Sequence, residues 1–299
     1  MNRVIFVGRI HFKNKRSVNL AKAAYIRFNE TIAKNDLMYR PEDLFGDEEA
    51  IREDFEELFL DFPRKSHDEV TDKNIAHTTT AMESLLGYAM AGRIDMFVIT
   101  AGELPRQITR LVDNTKTTAQ YFAEGQESLE AEDFEKAVEG FTSSVQSFPR
   151  HPWALNGRAL ANYELGKAAE AEADFRAARE LYPDLPSVHL GLAKIFADRE
   201  EYSAAMDAGK KAMANSIPHQ PGYWITALFC AEVMMARIEK EMGNLSETEV
   251  ELYHKQIAGY LGRYEMKLKQ LGSNRTELYP GPERLEGLKA RFEGLKAVA

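Results

Sequence analysis

Three stretches of this chain repeat one pattern at an interval of 34 residues: "DFEKAVEGFTSSVQSFPRHP" from 133, "KAAEAEADFRAARELYPDLP" from 167 and "EYSAAMDAGKKAMANSIPHQ" from 201. In a frame of 118–151, 152–185 and 186–219, Ala137, Ala171 and Ala205 share one position, and Ser144, Ala178 and Ala212 share another. Phe141 and Phe175 coincide, with Gly209 in the third copy; Pro149 and Pro183 close their units, and Pro218 comes one residue late. A supersecondary unit of this length cannot bury its apolar face alone, so repetition demands stacking. The chain is thereby committed to an elongated array over this region.

Within each unit, apolar residues fall three and four apart in two runs separated by a polar turn, around Glu130–Asp133 in the first copy. That spacing predicts two amphipathic helices per unit. Small residues let antiparallel helices approach, the Phe fills the space between units, and Pro resets the chain. The pattern resembles the tetratricopeptide repeat in period and in its small-residue, Phe and Pro positions. Gly125 matches the family's first-helix glycine, which is Ala159 and Ala193 in the later copies. The resemblance implies helix pairs with a concave inner face. It is weakest in the third unit, which lacks the Phe.

A solenoid needs its ends covered. Residues 220–241 are too apolar for a solvated cap, and 245–272 form an amphipathic run opened by a capping box, Ser246 to Glu249. The pair reads as a degenerate fourth unit. "PGPERLEGLKARFEGLKAVA" is then a last helix suited to packing back on it, or to a partner.

No 34-residue echo precedes Thr118. "RVIFVGRIHF" reads as a strand, "VNLAKAAYIRFNETIAK" and "DEEAIREDFEELF" as helices, "DKNIAHTTTAMESLLGYAMAG" as a helix ending at Gly92, "IDMFVIT" as a strand and "LPRQITRLVDN" as a helix. Alternating strands and helices imply a small α/β layer domain. "AMAGRIDMFVITAGELPRQITRLVDN" is similar to the last helix–strand–helix of response-regulator receivers, and "LFLDFP" would place Asp61 as phosphoacceptor. Gly8-Arg9-Ile10 stands where receivers keep two acids for magnesium, and Ala101 or Gly102 where they keep a lysine. The resemblance therefore implies a degenerate receiver that docks; the other reading is an unrelated α/β domain.

Charge narrows the partners. The net charge is −9, but residues 1–40 hold nine Lys/Arg against two acids, 41–62 hold ten acids and one Arg, and 118–219 hold ten bases and seventeen acids. An acidic surface is a poor phosphate binder. Arg9, His11, Lys13 and Lys15 alternate with Ile10 and Phe12, which suggests an anion-binding strand face, or one that is solvated or paired with the acids of 42–61. Cys230, the single cysteine, lies in an apolar helical run and reads as a buried hydrophobe. No apolar run is long enough for a membrane span, and the start lacks a signal-peptide core, so a cytoplasmic location is expected. His67, Asp68, Asp72 and His77 lie close together without metal-ligand spacing. No cofactor, metal or catalytic constellation is expected.

The fold expected is mainly α: a tetratricopeptide-like α-solenoid (118–219) with a small N-terminal α/β domain (1–114), a connecting helix at 103–114, and a fourth unit with capping helices (220–299). Repeat offsets place Phe122, Gln126 and Leu129, then Trp153, Asn156, Leu160 and Tyr163, then Ser187, Leu190 and Lys194 on the inner face. The partner-binding set is Phe122, Gln126, Trp153, Asn156, Leu160, Tyr163, Leu190 and Lys194, with Trp153 either an exposed anchor or a residue packed between units. Clamps for acidic chaperone tails use Lys and Asn where this chain has Phe122 and Gln126, and Lys/Arg where it has Ser187 and Gly191. A basic or apolar peptide or helix is the expected ligand of a non-enzymatic adaptor. The alternatives are a receiver-like domain that controls the groove, and nucleic-acid binding through residues 9–16.

Overall fold

The computed structural model describes residues 2–33, 52–54, 58–100, 106–112, 117–218, 220–272 and 279–296. It divides into two compact units, Met1–Tyr182 and Pro183–Ala299.

The first unit opens with a five-stranded antiparallel sheet in the order β2-β3-β1-β4-β5. β1 (Asn2–His11) is central, between β3 (Phe59–Val70) and β4 (Ala91–Ile99); β2 (Arg52–Asp54) and β5 (Arg106–Leu111) lie at the edges. Alternation along β1 sends Val4, Phe6 and Ile10 into one core with Leu60, Phe62, Ile94, Met96 and Val98. Helices α1 (Lys15–Ala33) and α2 (Asp72–Leu86) close that core with Val18, Ala21 and Tyr25, and with Ile75, Met82 and Leu85. Asn14 caps α1 by accepting from the Ser17 N–H at 3.0 Å, and a Thr71–Asn74 capping box starts α2.

This small α/β domain differs from the sequence reading in several places. α2 stops at Leu86, not Gly92: the Met90 N–H already bonds to the His11 carbonyl at 2.8 Å, drawing Ala91 and Gly92 into β4. Residues 106–111 form strand β5, not the connecting helix expected over 103–114. Ile108 and Leu111 are three apart and look helical, but the open edge of β4 pairs Arg106 with Val98 and Ile108 with Met96. Every strand pairing among the described residues is antiparallel, which removes the receiver reading, because receivers are doubly wound on a parallel sheet. Asp61 is buried and ion-paired rather than open to a phosphodonor. Of the helix expected over "DEEAIREDFEELF", Arg52–Asp54 instead form strand β2 and Phe59 opens β3; residues 47–51 and 55–57 lie outside the described residues.

The repeats form helix pairs at the expected places: α3 (Thr117–Glu130) with α4 (Phe134–Ser147), α5 (Pro152–Glu164) with α6 (Ala168–Leu181), and α7 (Pro186–Asp198) with α8 (Tyr202–Asn215). Ala137, Ala171, Ala205, Ser144, Ala178 and Ala212 are fully buried. Phe141 enters between α3 and α5 at two glycines: a Cβ on Gly125 would lie 2.8 Å from its ring, and one on Gly157 2.4 Å. Arg158 reaches across to α6, its Nε and Nη2 each donating to an Asp174 carboxylate oxygen at 2.7 Å. The turn inside each pair is also repeated. Glu132, Gly166 and Glu200 have φ of 59°, 74° and 59°. In each copy the next N–H reaches back to a carbonyl of the preceding helix, Asp133 to Ser128, Lys167 to Asn162 and Glu201 to Phe196.

In the second unit the third pair is followed by α9 (Pro221–Glu241), a 3₁₀ turn (Met242–Asn244), α10 (Glu247–Leu271) and α11 (Pro282–Lys296). Cys230 on α9 is buried against Gly209, where an added Cβ would lie 2.7 Å from its sulfur. The thiol thus fills space beside the position that holds Phe in the first two repeats. Ser246 and Glu249 form the expected capping box. α11 packs back, pairing Arg284 with Glu232 at 3.0 Å and Arg291 with Glu239 at 2.6 Å.

Candidate functional site

The first unit brings the sheet against the inner helices of the first two repeats. Pro152 fixes the first turn of α5, and His151 caps it, its Nδ1 accepting the Ala154 N–H at 3.1 Å. A neutral ring so engaged carries its proton on Nε2. Phe122 of α3 lies over His151 with ring centroids 4.7 Å apart. Trp153 follows and meets three rings edge-on or nearly so: His11 of β1 at 6.1 Å, His151 at 6.2 Å and Tyr182 at 5.7 Å.

Beside this cluster, Arg9 joins the sheet to the end of α6. Its Nε donates to Asp61 at 3.1 Å and its Nη1 to the Leu181 carbonyl at 2.6 Å. The guanidinium lies between the rings of Phe59 and Tyr182, 4.2 and 4.7 Å from their centroids. The basic strand face expected from the sequence is therefore not an open one. Arg9 and His11 are buried, and only Lys13 and Lys15 beyond the strand are exposed.

Burial, followed by the charge of Arg9, pushes the His11 imidazole down to about 3. Burial does the same to His151, also to about 3. Both rings are neutral near pH 7. Neither nitrogen of His11, nor the Trp153 Nε1–H, has a hydrogen-bond partner among the described residues.

Next to Trp153 and His151 a cavity of about 210 Å³ opens. Its walls are Phe122, Ala123 and Gln126 of α3, Gly92 and Leu111 of the β4–β5 hairpin, and the neighbouring Val112; Glu127 and Glu130 stand along it. Phe122, Gln126 and Trp153 of the expected partner-binding set thus meet at one opening. Asn156 is buried, and Leu160 and Tyr163 are half-buried further along α5; none of the three lines the cavity. Leu190 and Lys194 are half-buried on α7, in the second unit.

Trp153 as an exposed anchor is corrected: it is 7% exposed, because β1 supplies His11 as a lid. The sequence did not place His151, Leu111 or Val112 at this cavity, and it set His11 on an anion-binding or solvated strand face rather than against Trp153. The available signal was the strand alternation that put Arg9 and His11 on one face, together with a histidine just before a helix-opening Pro152.

Residues 122–186 match the tetratricopeptide repeat family model, so the chain carries a tetratricopeptide repeat region. No curated protein sequence matches the chain. Among solved structures, the MamA protein is similar at 15% identity and TM-score 0.40, covering 60% of this chain and 91% of that one. The first tetratricopeptide domain of Spaghetti (RPAP3), bound to the HSP90 peptide SRMEEVD, is similar at 17% identity and TM-score 0.37, covering 42% and 94%. The Sgt2 tetratricopeptide domain from Aspergillus fumigatus is similar at 21% identity and TM-score 0.35, covering 44% and 83%. Among the described residues, no helix is long and apolar enough to cross a membrane.

Proposed function

We propose that this protein is a non-enzymatic interaction scaffold that holds a peptide or helix of a partner protein against the inner helices of its repeats. One observation carries this reading: Phe122, Gln126 and Trp153, on two consecutive inner helices, line one cavity. Such a site is formed before binding, so association does not have to order the receptor. The N-terminal sheet contributes Gly92 and Leu111 to the same walls, so it acts as part of the receptor.

A photo-crosslinking amino acid at Gln126 tests the proposal, with the same group at the exposed Glu139 of α4 as control. A partner captured at 126 and not at 139 supports it. Equal capture at both positions, or none at 126, removes the inner face as the working surface.

A further inference from the structure

We infer that the cavity beside Trp153 takes the side chain of a lysine or arginine from the partner, its alkyl stem against the aromatic walls and its cation at Glu127 and Glu130. The inference rests on the scaffold reading and adds the chemistry of the ligand.

Size comes first. About 210 Å³ lies below the roughly 300–1,000 Å³ of sites that enclose a small-molecule ligand, and suits one long side chain. The walls come second. Phe122, Trp153, Leu111 and Val112 offer apolar surface along the opening, which a four-carbon or three-carbon stem covers while its charged head stays in water.

Charge decides the head group. Among the described lining residues only Glu127 and Glu130 carry charge, since burial keeps His151 neutral. Both glutamates are exposed, and neither forms an ion pair among the described residues. They occupy the last turn of α3, which ends at Glu130, where the helix carbonyls add partial negative charge. An acidic side chain there would meet three negative groups at once. A cation would meet two carboxylates and a helix C-terminus. Across 118–219 the seventeen acids and ten bases point to the same partner charge.

The test uses the full chain and fluorescein-labelled nonapeptides, identical except for a central Lys, Arg, norleucine or Glu, read by fluorescence anisotropy. The Lys and Arg peptides are expected to bind about tenfold tighter than the norleucine peptide, and the Glu peptide weakest. In a Glu127→Gln/Glu130→Gln variant the preference of Lys and Arg over norleucine should vanish. Ala123→Phe, which fills the cavity, should abolish binding of all four peptides. If that variant misfolds by circular dichroism, the glutamine pair, both at exposed positions, still decides the matter. Equal binding of Lys and norleucine peptides, a preference that survives in the glutamine variant, or no binding by any peptide would each overturn the inference. Capture at position 126 would still report on the scaffold reading by itself.

Discussion

Arg9 of the first strand and Leu181 at the end of the second repeat are joined by a 2.6 Å hydrogen bond from guanidinium to main-chain carbonyl. The same guanidinium neutralises Asp61, and both side chains are only 8% exposed. Removing one partner of a buried pair leaves an uncompensated charge and costs about 3–5 kcal/mol. Arg9→Ala should therefore lower unfolding stability by about that amount in urea titrations. Arg9→Met combined with Asp61→Leu should recover most of the loss. A cost below about 1 kcal/mol for the single change would show that the pair is not load-sharing between strand and repeat.

The two buried imidazoles make the first unit acid-sensitive. His11 and His151 remain neutral in the folded chain down to about 3, whereas in the unfolded chain they protonate near 6.5. Between those values the unfolded state binds more protons, so stability falls as pH drops from about 6.5 toward 3. The slope approaches about 1.4 kcal/mol per pH unit for each ring, or about 2 kcal/mol each by pH 5. Urea midpoints measured from pH 7.5 to 5 should decline, and His11→Phe should flatten the slope. Parallel profiles for the two proteins would mean that His11 is not held neutral.

The turn residues with positive φ give a prediction of opposite sign. Glu132 and Glu200 adopt the left-handed backbone that Gly166 adopts in the middle copy. Glycine carries no steric cost there, so Glu132→Gly and Glu200→Gly should each stabilise by about 0.5–1 kcal/mol, and Gly166→Ala should destabilise by about 1 kcal/mol. Thermal midpoints check all three, and a loss of stability from both glycine substitutions would contradict the turn assignment.

Phe141 and Gly157 should behave as a coupled pair. A Cβ at 157 would lie 2.4 Å from the ring, so Gly157→Ala overpacks the junction, at a cost of about 1–3 kcal/mol. Phe141→Leu added to it should cost less than the sum of the two single changes. Strict additivity in a double-mutant cycle would show that the ring does not fill this space.

Cys230 is expected to be inert in the folded protein. Burial pushes its thiol up to about 12, and the thiolate is the reactive form. Iodoacetamide at pH 8 should leave it unmodified in native buffer and label it in denaturant, as read by intact mass.

The repeats were legible because their information is local. Small residues, Phe and the turns recur at one spacing, and the helix pairs lie where that spacing places them. β5 was not, since RQITRL has its two apolar residues three apart and becomes a strand only by pairing with β4. Repeat offset set Phe122 and Gln126 on the inner face, and both line the cavity. The burial of Trp153 was hidden, because its cover is His11, from a strand at the other end of this unit. Long-range partners of this kind leave no periodic trace in a sequence.

The contact of β1 with α5 and α6 bears on how this chain can be divided. A fragment begun at 117 would keep every repeat motif and yet expose Trp153 and Tyr182, and lose the cation that bridges to Leu181. Grafting the repeats onto another protein, or trimming them for binding studies, would then yield a sticky surface that mimics a genuine groove. The repeat is modular as text, yet its second copy is completed by residues of the N-terminal sheet within the same compact unit, Met1–Tyr182.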